Sequence, residues 1–376
     1  MELIERAKCC ICKSENFEKV LEIPMFPVLM GTTLQDASLD VFQDLKWGLC
    51  SACGCIQLLE LIPLTILYSQ QHSAGAIGKI WEKHHEEFAR FILSENPESI
   101  CELGSAHGVL SQIILDSRPE MEYTIIEPSP VSIDPRITTI VGIAEDHLNV
   151  ITQSQAVVHS HVLEHVYNVQ EFVSSISSAM KVGAKMFISF PNIQELIETG
   201  GSNSLNFEHT YYLHPIQLNY LLAANGLIIE KQESYLRHSY FVQVIKSKTD
   251  NSQGFPLESI RERSLSFVDM WGTLNDFVTQ MNKALVTDVI PTYIFGAHVF
   301  SQALISMGLN VDEIEGILDN STAKVGQRLY GTHLIVSNPS IIQKLARVRV
   351  ILKASHYQDE VKKQLKALNP LVEICE

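Results

Sequence analysis

No apolar stretch in the 376 residues is long enough to span a bilayer. The most apolar one, 58–68, is short and carries Glu60 and Pro63. The start of the chain, from Met1 to Lys8, lacks the apolar stretch of a signal peptide. Positive charge is also scarce: 28 basic residues face 43 acidic ones, for a formal net charge of −15. That deficit argues against a nucleic acid or an anionic membrane surface as the main partner. It describes the whole chain and leaves room for a local basic cleft. With 46% apolar and 19% charged residues, wholesale disorder is excluded as well. There is no internal repeat and no low-complexity tract. Such a chain is expected in the cytoplasm, where its eight cysteines would stay reduced.

Three textures follow one another, as the length leads one to expect of a chain with two or three domains. Residues 1–67 are cysteine-rich, with Pro24, Pro27 and little helical periodicity. Residues 68–247 alternate strand-like apolar runs (99–103, 123–127, 137–142, 156–160, 185–190 and 241–246) with helical stretches, the pattern of a parallel-sheet α/β domain. A polar linker is expected at 248–254. Residues 255–376 begin with a long helical pattern at 257–286 and continue as a second α/β pattern, with strands expected at 293–296, 315–318 and 348–354.

Six of the eight cysteines lie in the first 55 residues, and two Cys-x-x-Cys pairs stand out. Cys9 with Cys12, and Cys50 with Cys53, can set four thiolates around one zinc ion. Cys10 and Cys55 are rival ligands beside them. Four thiolates close the coordination sphere, so the expected site is structural, and a small segment gains folding energy from it. A redox role fits less well, because no thioredoxin-like strand–helix pattern surrounds the pairs.

A glycine loop links the strand at 99–103 to a helix at 109–115. Glu102, Gly104 and Gly108 fall at the spacing E-x-G-x-G-x-G, with Ser105 inside the loop and Ala106 at the middle glycine. Gly104 permits a tight turn and close backbone approach to a ligand. Glu127 ends the next strand, 19 residues past Gly108, where an acid can accept both hydrogen bonds of a ribose diol. The G-x-G-x-x-G of a dinucleotide site is missing. An acid ahead of the loop suits a cationic amino-acid–nucleoside ligand instead, which points to S-adenosylmethionine (SAM). After the third strand, Glu145 or Asp146 is placed to meet an adenine amino group.

Histidines cluster at the ligand edge of this pattern. His159, His161 and His165 follow the fourth strand, and His209 follows Asn206-Phe-Glu208. Open α/β sheets bind ligands at that edge. His209 and Glu208 suit a base and the partner that tunes it. Metal binding by these histidines lacks a characteristic spacing.

Taken in order, these residues resemble the sugar C-methyltransferase family of nucleotide-linked deoxysugar pathways. The resemblance covers nearly the whole chain: the segment ending Cys53-Gly-Cys-Ile-Gln-Leu58, the stretch Tyr68-Ser-Gln-Gln-His72, the loop Glu102 to Gly108, Val162-Leu-Glu-His165, Phe190-Pro191 and Glu208-His209. It continues through Phe295-Gly-Ala297 and Leu318-Asp-Asn320, Lys324-Val-Gly326 and Gly331-Thr332. It implies a central Rossmann-like class I methyltransferase domain between a small zinc-binding N-terminal segment and a smaller C-terminal α/β domain. It further implies C-methylation of a nucleotide sugar, with His209 as the base that removes a proton beside a ketone. Glu208 would stand beside the base, and His165 and Tyr68 would hold the sugar or the enolate. The diphosphate would lie near the C-terminal parts, with Gly296 and Ala297 as a second phosphate loop. The sequence departs from the family at Asn206, where a tyrosine is usual, at Ala106, and around Arg237-His238-Ser239-Tyr240, where a glycine pair is usual.

The expected partners are a nucleotide-sugar substrate, no nucleic acid and no membrane, in a monomer or homodimer. Three rival readings remain. One is an O- or N-methyltransferase acting on a sugar of surface-polysaccharide or natural-product biosynthesis. Another is a nicotinamide-dependent sugar reductase or epimerase using the C-terminal domain, and the third is a non-catalytic zinc module.

Overall fold

The apolar runs in the middle of the chain build one sheet; those at 99–103, 156–160 and 185–190 are buried on both of its faces, while that at 138–141 is an exposed edge. In the computed structural model, which describes residues 2–68, 79–105, 107–131, 134–193, 195, 205–248, 260–353 and 357–376, these runs form a seven-stranded sheet. Its strands are β1 (Ser99–Leu103), β2 (Glu122–Glu127), β3 (Thr138–Val141), β4 (Ala156–Ser160), β5 (Lys185–Pro191), β6 (Leu227–Tyr235) and β7 (Ser239–Lys246). Their order in space is β6-β7-β5-β4-β1-β2-β3. Neighbours from β3 to β5 are parallel, and β7 alone runs against β5 and β6.

Alternate residues feed opposite faces of the sheet. Cys101, Leu103, Val157 and Ile188 pack with Phe172, Val173 and Ile176 of helix Val169–Ala179 and with Leu218 and Leu222 of helix Pro215–Ala223. Ile100, Ile125, Val158 and Phe187 pack with Phe88 and Ile92 of helix Lys79–Leu93 and with Leu110 and Ile114 of helix Val109–Ser117. The result is a Rossmann-like α/β layer structure. The strand order reverses between β1 and β4, and that switch point opens a crevice at the strands' C-terminal ends.

The cysteine-rich segment is more regular than its sequence suggests. Phe17–Pro27, Phe42–Cys50 and Ile56–Leu58 form an antiparallel sheet, and Tyr211–Tyr212 from the middle of the chain joins its edge. Toward the C-terminus, Val336–Ser337, Gly316–Leu318, Thr292–Phe295, Val348–Leu352 and Val372–Cys375 lie in that spatial order as an all-parallel sheet. The long helix Arg261–Thr287 links the two outer parts through a shared core. Its Trp271 ring lies 6.0 Å from Trp47, and its Phe267 ring lies 4.5 Å from Tyr212. A buried Asp40–Arg328 ion pair at 2.6 Å joins them again. Among the described residues, no helix is long and apolar enough to cross a membrane.

Ala106, the stretch from Ser69 to His72 and linker residues 249–254 lie outside the described residues.

Candidate active site

The four cysteines singled out by their spacing come together. Cys9 Sγ lies 3.6 Å from Cys53 Sγ, and Cys12 Sγ lies 3.6 Å from Cys50 Sγ. All four sulfurs lie within 4.8 Å of one another. A tetrahedral zinc site with bonds near 2.3 Å has sulfur–sulfur edges of about 3.8 Å, so the donor set and its spacing fit zinc. Cys10 and Cys55 instead face each other at 3.9 Å, outside this group.

The glycine loop occupies the crevice. Gly104 has φ +74°, and a Cβ there would sit 2.7 Å from Val162 Cγ2. Only glycine lets the loop lie against the segment after β4. Gly108, at φ +62°, caps helix Val109–Ser117. Glu102 is 2% exposed and accepts a hydrogen bond from Tyr123 Oη at 2.9 Å. Burial pushes its carboxyl up to about 7, against the pull of that hydrogen bond and one with Ser105. Glu127, at the end of β2, accepts the Ser129 N–H at 2.8 Å, and its pKa is raised, chiefly by burial. Two acids thus end adjacent strands beside a loop without side-chain bulk, an arrangement that fits SAM. Glu145 is exposed in the turn Ala144–Asp146 after β3.

His165 and His209 meet across the next gap, their rings 4.9 Å apart and inclined at 81°. Tyr68 Oη lies 3.3 Å from His165 Nδ1. Glu164 brings a carboxylate oxygen within 4.8 Å of a nitrogen of each ring. Burial acts to raise the Glu164 carboxyl, but the hydrogen bond from His161 and the nearby histidines hold it down at about 2. Loss of hydration, with His165 as the next cause, pushes the His209 imidazole down to about 3, so it is neutral at physiological pH. Phe190, Pro191 and Ile193 line a small cavity beside His209.

The His209 loop is held from three sides. Asn206 Oδ1 accepts the N–H groups of Glu208 and His209 at 2.9 and 2.7 Å, so this side chain positions the loop backbone. Thr210 N–H donates to Glu164 O at 2.9 Å. Thr210 O accepts from Leu58 N–H at 2.9 Å and from Arg6 Nη1 at 2.8 Å, and the next two residues pair with Gln57 and Ile56. Glu208 is buried next to the base.

Sequence reasoning passed over three groups here. His84 and His238 join His161 in a second histidine cluster, and Trp81 packs against all three. They come from three separate elements, so no spacing announces them. The expected phosphate loop at Gly296 is corrected. The Ala297 N–H already donates to Asp319 Oδ2 at 2.8 Å, and Lys324 pairs with the same oxygen at 3.2 Å. A carboxylate there repels a phosphate.

Residues 78–232 match the family model described as "Methyltransferase domain". This stretch is thus similar to methyltransferase domains. It spans β1 to β5, the glycine loop, the His165–His209 pair, and His84 and His161 of the second cluster, while Tyr68 and His238 lie outside it. No curated protein matches the sequence. Among solved structures, the mitomycin 7-O-methyltransferase is 16% identical over 46% of this chain and 56% of its own, with a TM-score of 0.37. The N,N-8-amino-8-demethyl-D-riboflavin dimethyltransferase of Streptomyces davawensis is 18% identical over 44% and 55%, with a TM-score of 0.38. Human N-acetylserotonin methyltransferase, solved with SAM, is 14% identical over 49% and 59%, with a TM-score of 0.36. The chain spans just over half the length of these proteins, and its fold assignment rests on the strand order above.

Proposed function

We propose that the protein methylates a nucleotide-linked sugar at a carbon beside a ketone, with His209 as the base. The observation that carries this reading is the His209–His165–Tyr68 group at the C-terminal edge of the methyltransferase sheet, beside the glycine loop. Glu102, the Gly104–Gly108 loop and Glu127 would hold SAM. When bound, SAM supplies an electrophilic methyl group. Carbon becomes a nucleophile only if a neighbouring proton is removed. His209 is neutral, so it is ready to take that proton. The Glu164 carboxylate offsets the positive charge His209 then gains. The Tyr68 hydroxyl and His165 are donors for the enolate oxygen. Zinc on Cys9, Cys12, Cys50 and Cys53 has a structural role, holding the sheet to which the His209 loop is paired.

A second reading is methylation of a sugar hydroxyl. It is favoured by Asn206, which directs its oxygen to loop backbone where the family has a phenol. His209 serves either acceptor. Replacing His209→Ala should lower methyl transfer to nucleotide sugars by about 100-fold or more while SAM binding is kept. Unchanged turnover with SAM bound would remove His209 from the chemistry.

A further inference from the structure

We propose that His84, His161 and His238 form a second metal site, for a divalent ion of borderline softness such as Zn2+. One nitrogen from each ring lies within 4.8 Å of the others. The three come from helix Lys79–Leu93, from the turn after β4, and from the turn between β6 and β7. Trp81 walls the group edge-on, with ring centroids 5.1, 4.8 and 4.6 Å from His84, His161 and His238.

Serine hydroxyls account for part of this cluster. His84 Nε2 faces Ser189 Oγ at 2.8 Å, while His161 Nε2 and His238 Nδ1 share Ser239 Oγ at 2.9 and 2.6 Å. They leave His84 Nδ1 buried with no hydrogen-bond partner, on a residue that is 0% exposed. A buried imidazole nitrogen left this way calls for a ligand.

A second observation points the same way. His161 Nδ1 lies 3.0 Å from Glu164 Oε1. With that carboxylate ionised, Nδ1 carries the proton and Nε2 the lone pair. A carboxylate behind a histidine is the arrangement that orients metal-binding imidazoles. His161 also holds a left-handed backbone, φ +54°, which turns its ring toward the other two at some conformational cost. Three neutral imidazoles without a thiolate suit zinc, copper or nickel and not magnesium or calcium. Three protein ligands leave a fourth position open. His161 and His238 are partly exposed, which gives an ion a way in. This site is separate from the cysteine cluster, and Glu164 connects it to the His165–His209 pair.

The test is Zn2+ content of the full-length protein after equilibrium dialysis, with Cu2+ quenching of Trp81 fluorescence as a second readout. Two equivalents of zinc per chain are expected, one of them removed by a mild chelator. His238→Gln, in a turn and safer for folding than His84→Ala, should weaken that second equivalent by at least the roughly 100-fold that even second-shell losses reach. Quenching should disappear with it, and Trp81→Phe should abolish the signal while keeping the zinc. One equivalent in the wild type would overturn the proposal. So would a second equivalent that survives both His84→Ala and His238→Gln, or one lost in His209→Ala, which would place the ion among Glu164, His165 and His209.

Discussion

Glu102 offers a quantitative test of how this protein holds SAM. Its carboxyl is buried in the sheet and raised to about 7 in the free protein, from an ordinary value of 4.5. A cationic ligand binds the ionised form. If the complex keeps Glu102 ionised, apparent affinity follows the ionised fraction of the free protein. Affinity then falls about tenfold from pH 8 to pH 6, and roughly another tenfold by pH 5. At pH 6.5, binding should release about 0.8 proton. Titration calorimetry at several pH values, in buffers of different ionisation enthalpy, measures both quantities. The sign for stability is the reverse of the usual carboxylate case. The folded pKa lies above the unfolded one, so stability drops as pH rises from 4.5 to 7. Glu102→Gln should therefore raise stability at pH 8 by up to about 3 kcal/mol while flattening the pH dependence of SAM binding. Wild-type affinity that is constant from pH 6 to 8, or an equal slope in Glu102→Gln, would refute this role.

Three other outcomes are expected. Gly104→Ala must place a side chain at φ +74° and 2.7 Å from Val162. It should cost about 2–4 kcal/mol in stability and weaken SAM binding, and Val162→Ala should recover the packing share but not the backbone share. If zinc on the four cysteines holds the sheet that pairs with Tyr211 and Tyr212, stripping it should free that sheet. Turnover should then fall about 100-fold through misplacement of His209, with SAM affinity nearly unchanged, as rate and binding assays would show. Finally, burial lowers the His209 pKa well below 6.5. The acid limb of kcat/KM should accordingly fall below about pH 5, and a limb near 6.5 would mean the base sits in water.

The middle sheet was legible because β1, β4 and β5 bury both faces and read as unbroken apolar runs. β6 was not, since it is an edge strand whose Glu230-Lys231-Gln232-Glu233 face water. The strand Phe17–Pro27 hid behind two prolines and two register shifts. The core that joins Trp47 to Trp271 is non-local, and nothing in either segment names its partner. At the site, paired Cys-x-x-Cys spacing marked the four gathered sulfurs, and the glycine spacing marked the tight loop at the switch point of the sheet. The His209–His165–Tyr68 grouping came through resemblance, because its members lie far apart in the chain. His161 stood in the histidine run after the fourth strand, but its grouping with His84 and His238 emerged only from the fold.

The most direct measurement is the attachment point of a labelled methyl group. The protein would be incubated with methyl-labelled SAM and nucleotide sugars with and without a 4-keto group, and the products read by NMR and mass. Label on carbon, in keto sugars only, is the predicted result. Label on oxygen or nitrogen of sugars that lack a ketone would contradict it and leave His209 as the base for a heteroatom.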